Sequence, residues 1–294
     1  MNLVRYGLTQ ILFFFACLIT VIPAHAEGAE PAAYKLQTPG TLRIGVYTKF
    51  APYSSRATAG GKYRGIDVDI GKALAARLGL NYSLLPIIAD ENLEDDLRNF
   101  VWKGHYLGGG VADVMMHVPY DPQFAARNDQ VYFFAPYQQE RVALAFSSAD
   151  TPSLTQAAEG FIGVEIDTIS DAYASAAQGG SIRDSVKRYF SVNEAVVAMI
   201  SGEVATVMAP RGELQGALQA ADVAQKFRIT KVTMTGMFRN TWQVGLAVRS
   251  SNRALGDDLQ RAMTAMKSDG SLRQLFADYG VELEIPTEQA GRGD

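Results

Sequence analysis

The order of its apolar periods constrains this chain more than any other feature. Residues 41–47, Thr-Leu-Arg-Ile-Gly-Val-Tyr, read as a strand. Ile66, Ile70, Ala73, Leu74 and Leu78 then recur at helical spacing, and Gly79 ends the helix. Residues 82–88 read as a second strand, 90–102 as a helix whose acidic first turn suits its macrodipole, and 111–118 as a third strand. A βαβαβ run of this kind closes into a parallel sheet covered by helices. A second set follows, with strands expected over 142–147, 161–166, 204–208, 227–232 and 243–248. Helices are expected over 169–177, 193–200, 255–266 and 272–279, with breaks at Gly202 and Gly270. The prediction is an α/β protein of two lobes, each of about 100 residues around a central parallel-type sheet.

The ends read differently. Residues 1–26 hold Arg5 and no acid; an apolar run over 11–19 is followed by Pro23 and the A-x-A sequence Ala24-His25-Ala26. That order predicts a secretory signal peptide over 1–26 and a periplasmic protein. The run is too short for a membrane span, and Cys17 lies inside it rather than at its end, where a lipoprotein would need it. Residues 27–40, rich in Ala, Glu, Pro and Gly, predict a flexible leader, and 285–294, polar from Pro286 onward, a frayed tail.

Composition removes whole classes of function. The chain has 27 basic and 31 acidic residues and a net charge of −4, which argues against a nucleic-acid footprint. Loss of residues 1–26 takes away one basic residue and the only cysteine, leaving 268 residues at −5. An exported chain without cysteine has neither disulfide nor thiol chemistry and is held by burial. His105 and His117 are then its only histidines, too few for a His-rich zinc site. No cofactor or metal is expected.

Ligands of a parallel sheet meet the carboxyl ends of its strands. That rule selects Tyr47, Lys49, Phe50 and Tyr53 after the first strand, Asp90, Glu91 and Asn92 after the second, and His117, Tyr120 and Asp121 after the third. From the second set it selects Glu165, Asp167, Thr168 and Ser170, then Pro210 and Arg211. Tyr47, Phe50 and Tyr53 suit a stacking wall for a ligand, or equally a rim over the core. His117 suits a donor or a pH-sensitive group in a cleft, or equally a packed strand-end histidine. Asp90, Glu91, Glu94, Asp95 and Asp96 offer hard oxygen ligands for Ca²⁺ or a lanthanide. At helical spacing they point in several directions, and read better as a helix cap and a solvated face. The stretch 102–110, with Trp102, Tyr106 and Gly108-Gly109-Gly110, suits a contact with a partner, or a loop tucked on its own lobe.

Six stretches in order resemble family 3 periplasmic solute-binding proteins: Leu42-Arg43-Ile44-Gly45-Val46 with Phe50-Ala51-Pro52-Tyr53; Gly65-Ile66-Asp67-Val68-Asp69-Ile70; Ala112-Asp113-Val114-Met115; Val131-Tyr132-Phe133-Phe134-Ala135-Pro136-Tyr137; Gly245-Leu246-Ala247-Val248-Arg249; and Asp269-Gly270-Ser271-Leu272 with Tyr279-Gly280. The resemblance spans roughly residues 41–284. It implies a two-lobe periplasmic binding protein fold with hinge crossings near 138–141 and 240–242. Lobe one would hold 41–139 and 243–284, lobe two 140–242, and the hinge would close on a small ligand. Three local stretches, 89–98, 102–110 and 117–122, resemble a narrower branch, the methanol-oxidation J type encoded beside PQQ-dependent alcohol dehydrogenases.

The resemblance places Arg127 where amino-acid binders clamp the ligand carboxylate, a task the guanidinium fork suits. Read as a surface residue, it would sit on a short helix beside Asp121 or Asp129. The Thr-Pro-Glu usual before that Arg is Phe124-Ala125-Ala126 here. The family's Asp for the ligand ammonium has no counterpart in 204–210, Val-Ala-Thr-Val-Met-Ala-Pro, and the Ser or Thr after the third strand is His117. An unpaired ammonium is costly to bury, so this comparison argues against an ordinary α-amino acid unless Glu165 or Asp167 substitutes. The expected ligand-binding set is Tyr47, Phe50, Tyr53, Asp90, His117, Tyr120, Arg127, Asp167, Thr168 and Arg211.

The resemblance thus implies a monomeric, non-catalytic protein that binds a small polar solute for an ABC importer, with no membrane insertion of the mature chain. The alternative is an accessory protein docking on a periplasmic quinoprotein dehydrogenase or its cytochrome. An enzyme on the same fold would need an acid–base pair, for which His117 with Glu165 is the only candidate.

Overall fold

The computed structural model describes residues 34–286, apart from 57, 59, 148 and 237–239. The expected signal peptide, residues 27–33 of the leader and 287–294 of the tail lie outside the described residues. Strand β1 (Thr41–Tyr47) leads through β2 (Lys49–Phe50), β3 (Ser54–Arg56) and β4 (Tyr63–Arg64) into helix α1 (Ile66–Arg77). β5 (Asn81–Ile87), α2 (Leu93–Leu97), β6 (Val114–Pro119), α3 (Pro122–Arg127) and β7 (Val131–Phe146) follow. Then come α4 (Leu154–Glu159), β8 (Ile162–Glu165), α5 (Ile169–Ala176), β9 (Val186–Tyr189), α6 (Val192–Ile200), β10 (Thr206–Pro210) and α7 (Arg211–Ala220). β11 (Arg228–Lys231), β12 (Thr241–Arg249), α8 (Arg253–Ser268) and α9 (Ser271–Asp278) complete the order.

The main sheet runs β5-β1-β6-β12-β7-β10-β8-β9, with β11 also on β7. Its two flanks are parallel, β5-β1-β6 and β10-β8-β9, as the alternating pattern requires. Its middle is antiparallel, and β7 is the shared member. The first part of β7 pairs with β12, and residues 142–146 pair with β10. The two segments expected to cross between lobes are ladder partners, with Thr241 opposite Arg141 and Trp242 opposite Glu140.

Apolar spacing alone starts this strand only at 142, because 136–141, Pro-Tyr-Gln-Gln-Glu-Arg, is largely polar and contains a proline. The ladder with β12 tolerates both. Pro136 stands where the β12 register shifts between Val244 and Leu246, a break that suits a residue with no N–H. Other departures have similar causes. β2, β3 and β4 are two or three residues long and show no period. The helix expected over 90–102 starts later, because Asn92 caps it by accepting from the Asp95 N–H at 2.9 Å, and it widens into a π-turn over Arg98–Trp102.

Successive strand residues bury against opposite faces. Val114, Met116 and Phe134 join a core with α1, α8 and α9, whereas Met115 and Phe133 face Leu97 and Val101. In the other half Val142 and Leu144 face one way, and Ala143 and Ala145 the other. Both faces are covered, and each fully buried aliphatic side chain contributes about 1.5–3 kcal/mol. Among the described residues no helix is long and apolar enough to cross a membrane.

Two outlying segments are tied down. The part of the expected leader from 34 to 40 is held by the Gln37 N–H on Asp113 Oδ1 at 2.8 Å and by Asn252 Nδ2 on the Lys35 carbonyl at 3.0 Å. At the other end Val281 and Leu283 are buried. Between them Gln138 Nε2 donates to the Glu282 carbonyl, and Glu282 N–H donates to Gln215 Oε1. The Glu284 N–H donates to Gln138 Oε1, and its carbonyl accepts from the Gln139 N–H.

Apolar spacing does not foresee helix α7, because Gly212 and Gly216 lower its intrinsic propensity by about 1 kcal/mol each relative to Ala. Their four-residue spacing gives α7 one face without side chains. A Cβ on Gly216 would lie 2.5 Å from Pro52 Cγ, so this face admits the turn after β2 at backbone distance. Gly216→Ala is expected to destabilise the protein by about 1–3 kcal/mol in urea unfolding, despite the gain in helix propensity. An unchanged or raised midpoint would show that this contact does not constrain the fold.

Candidate functional site

The turn after β2 drives Tyr53 into the angle between β7 and α7, where it is buried. Its hydroxyl donates to Glu140 Oε1. The Glu140 carboxylate also accepts from Gln138 Nε2 at 3.2 Å and from the Gly212 N–H at 3.3 Å. Only glycine fits at 212, since a Cβ there would collide with Tyr53 Oη and Glu140 Oε1. Alongside, Tyr137 donates to Asp67 Oδ1 at 2.5 Å. His117 Nδ1 lies 3.2 Å from Asp67 Oδ2 and 3.3 Å from Tyr137 Oη. The His117 ring packs on Phe50 and Tyr53, with centroids 4.6 and 4.2 Å away. Burial, reinforced by Glu140 beside Tyr53 and by Asp67 beside Tyr137, pushes both phenols well above their ordinary value, so both remain donors.

Beside this network lies an open cavity of about 540 Å³. Its lining comes from Lys49, Phe50, Arg56 and Tyr63 in the 48–63 segment, and from Glu165 at the end of β8, Phe190 and Glu194 around the start of α6, and Glu213 in the first turn of α7. Arg56 holds its guanidinium 4.1 Å from the Tyr63 ring centroid. Glu194 is held by its own helix start, its Oε2 accepting from the Phe190 N–H at 3.0 Å. Burial raises the Glu165 carboxyl above the usual carboxylate range; the Val192 N–H works against this and Glu194 adds to it. Glu213 is 8% exposed and has no hydrogen-bond partner among the described residues. Burial first, then Glu165 and Glu140, push its carboxyl well above the usual range. A second cavity, of about 400 Å³, lies at the far end of β7 near Thr151, Gln156 and Thr206.

Of the ten residues expected to bind ligand, Phe50 lines the larger cavity. Tyr53 and His117 pack directly behind it. Tyr47 is turned away, donating to Asp96 Oδ2 at 2.8 Å, and its phenol is raised by burial and by that carboxylate. Asp90 accepts from Asn99 Nδ2 at 3.0 Å. Asp96 is 3% exposed and accepts from the Asp90 N–H, so this acidic stretch is not wholly a solvated face. Tyr120 is exposed beyond β6. Arg127 is 62% exposed on α3, 3.8 Å from Glu94, and is not among the residues lining the cavity. Asp167 and Thr168 form the turn into α5, where Thr168 accepts from the Asp171 N–H at 3.3 Å as N-cap. Arg211 is buried, with its guanidinium on the Glu282 carboxylate and carbonyl, both at 3.1 Å.

Sequence reasoning missed Glu194, Glu213, Glu140 and Asp67. Glu194 had a signal, the Ser191-x-x-Glu194 spacing of a capping box. Glu213 had none, because it depends on a helix whose glycines hid it.

Residues 42–99 match the bacterial extracellular solute-binding proteins, family 3. No curated protein matches the chain. Among solved structures, an ancestral cationic amino acid solute-binding protein is similar with a TM-score of 0.63 at 20% identity, over 82% of this chain and 96% of that one. A polar amino acid ABC uptake transporter substrate-binding protein from Streptococcus thermophilus gives 0.62 at 17% identity, over 85% and 89%. An ancestral arginine-binding protein bound to arginine gives 0.53 at 23% identity, over 82% and 98%. The α/β fold is therefore that of two-lobe binding proteins, as the sequence pattern predicts.

Two outcomes test the site's electrostatics. Tyr53→Phe, which leaves the buried Glu140 without its hydroxyl donor, is expected to cost about 1–3 kcal/mol in urea unfolding; a smaller loss would mean Glu140 is satisfied without it. Glu213 holds its proton in the folded state at pH values where the unfolded chain has lost it. Its contribution to stability is therefore full below the ordinary carboxylate range and is lost as pH rises through the raised folded value. Glu213→Gln removes this dependence. The variant is expected to melt above the wild type at neutral pH, with the gap closing toward acid. Parallel melting curves across pH would contradict the assignment.

Proposed function

We propose that this chain is a family 3 periplasmic solute-binding protein that holds a small polar solute in the 540 Å³ cavity and presents it to an ABC importer. One observation carries the reading: the cavity is lined jointly by the 48–63 segment and by the starts of α6 and α7. These walls belong to the two lobes assigned from the resemblance, 41–139 with 243–284 and 140–242. Motion about 138–141 and 240–242 would open and close it. The family match over 42–99 and the fold shared with amino-acid-binding proteins support the same reading. Phe50 supplies an apolar wall, and the charged groups around it supply orientation. No step of catalysis is assigned to His117, which faces Asp67 and Tyr137 rather than Glu165.

Native mass spectrometry tests this with an equimolar mixture of amino acids, polyamines, dicarboxylates and sugars. The wild type is expected to retain one solute per chain, and Phe50→Ala to bind it about tenfold more weakly. Absence of any adduct would overturn the reading.

The accessory role beside a quinoprotein dehydrogenase has one support. In the 102–110 loop Tyr106 and Leu107 are 88% and 77% exposed, while Arg43 holds the loop base through the Gly109 carbonyl at 2.6 Å. Exposed apolar tips of this kind suit a protein partner.

A further inference from the structure

Residues 280–284, which follow α9, touch both sides of the proposed hinge. Val281 and Leu283 are buried in the core with α1, α8 and α9. Glu282 and Glu284, which alternate with them, reach α7 instead. That alternation is the period of an extended chain. The contacts run in order along one stripe of α7. Gly280 lies against Gln219, where a Cβ would come 2.5 Å from Cγ. The Glu282 N–H donates to Gln215 Oε1 at 3.1 Å. The Glu282 and Glu284 carboxylates lie 3.1 and 3.4 Å from the Arg211 guanidinium. Four helix residues rise about 6 Å and two extended residues about 6.6 Å, so the two segments keep step.

Arg211 depends on this seat. A cation in the first turn of a helix opposes the macrodipole. This one is also buried, and its Nε has no hydrogen-bond partner among the described residues. Glu282 and Glu284 supply its counter-charge, and Glu284 also pairs with Arg141 at the crossing. Yet the Glu282 carboxylate is 72% exposed, so water and salt reach the tie.

We propose that residues 280–284 are a salt-sensitive clasp across the hinge, whose ion pairs hold α7 against the core of α1, α8 and α9. The clasp rests on the lobe assignment behind the solute-binding reading, and adds a third tie to the crossings at 138–141 and 240–242. Turning the 140–242 lobe carries Arg211 with it, whereas Val281 and Leu283 stay with the core of the other lobe. The acids between them part from Arg211 before the cavity changes its width. Screening or neutralising them frees the hinge.

Double electron–electron resonance tests this on the unliganded chain, with spin labels at Ile88→Cys and Val197→Cys in a Cys17→Ser background that removes the only native cysteine. Both label sites are exposed, lie on opposite sides of the hinge and do not line the cavity. At low salt one narrow distance is expected. Glu282→Gln with Glu284→Gln is expected to add a second, separate distance. About 1 M NaCl, where the screening length falls to about 3 Å, is expected to do the same to the otherwise unchanged chain. Glu282→Gln alone, at an exposed carboxylate, serves where the double variant does not fold, and is expected to give less of the same second distance. Asp258→Asn, which breaks an ion pair with Arg261 inside α8, is expected to change nothing. A broad distance at low salt, a single distance throughout, a salt response that the glutamine variants do not reproduce, or a second distance from Asp258→Asn as well each overturns the clasp while solute binding stands. A second distance confined to the Glu282 variants and high salt, with no adduct in the mass-spectrometric mixture, keeps the clasp and overturns the solute reading.

Discussion

The arrangement of this protein depends on how one carboxylate is kept out of water. Glu140 lies 1% exposed in β7, where the flanks of the sheet meet. Its acceptors are filled from three directions: by Tyr53 from the turn after β2, by Gln138 two residues back on its own strand, and by the Gly212 N–H of α7. A buried charge lacking such donors would cost several kcal/mol. These donors hold the three elements together in this structure, and bare glycine positions at 212 and 216 allow the approach. The cavity beside them inherits its walls from that constraint, since Phe50 precedes Tyr53 by three residues and Glu213 follows Gly212.

What the sequence made legible was what periodicity can carry. β1, α1, α5, α6 and α8 form nearly where apolar spacing puts them, and the parallel flanks follow from their alternation. The middle of β7 was hidden because its residues are chosen for the joint: polar groups and a proline occur in a strand whose ladder is secured by β12. Helix α7 was hidden for the opposite reason. Glycine at two positions is poor for a helix in isolation and necessary for this one in place.

The site shows the same division. The rule that ligands meet strand ends brought out Phe50 and Glu165, both of which line the cavity. It also brought out Tyr47, Asp90 and Thr168, which serve local structure: a hydroxyl on Asp96, an acceptor for Asn99 and a helix cap. The stretch 204–210 does lack an acid, yet the cavity is not short of acids. They arrive from the end of one strand and the first turns of two helices, a convergence that only the folded chain defines.

The last described residues have a consequence for the order of assembly. Residues 281–284 bond to 138 and 139 on β7 and to Gln215 on α7, and their two glutamates receive Arg211 and Arg141. Every one of these partners precedes its own in the chain by at least 67 residues, the span from Gln215 to Glu282. A growing chain can therefore form both flanks of the sheet and still leave the buried Arg211 without its counter-charges. The joint is keyed by residues that follow every strand of the sheet in the chain, so the flanks can pair before the contacts that hold Arg211 and Arg141 are made.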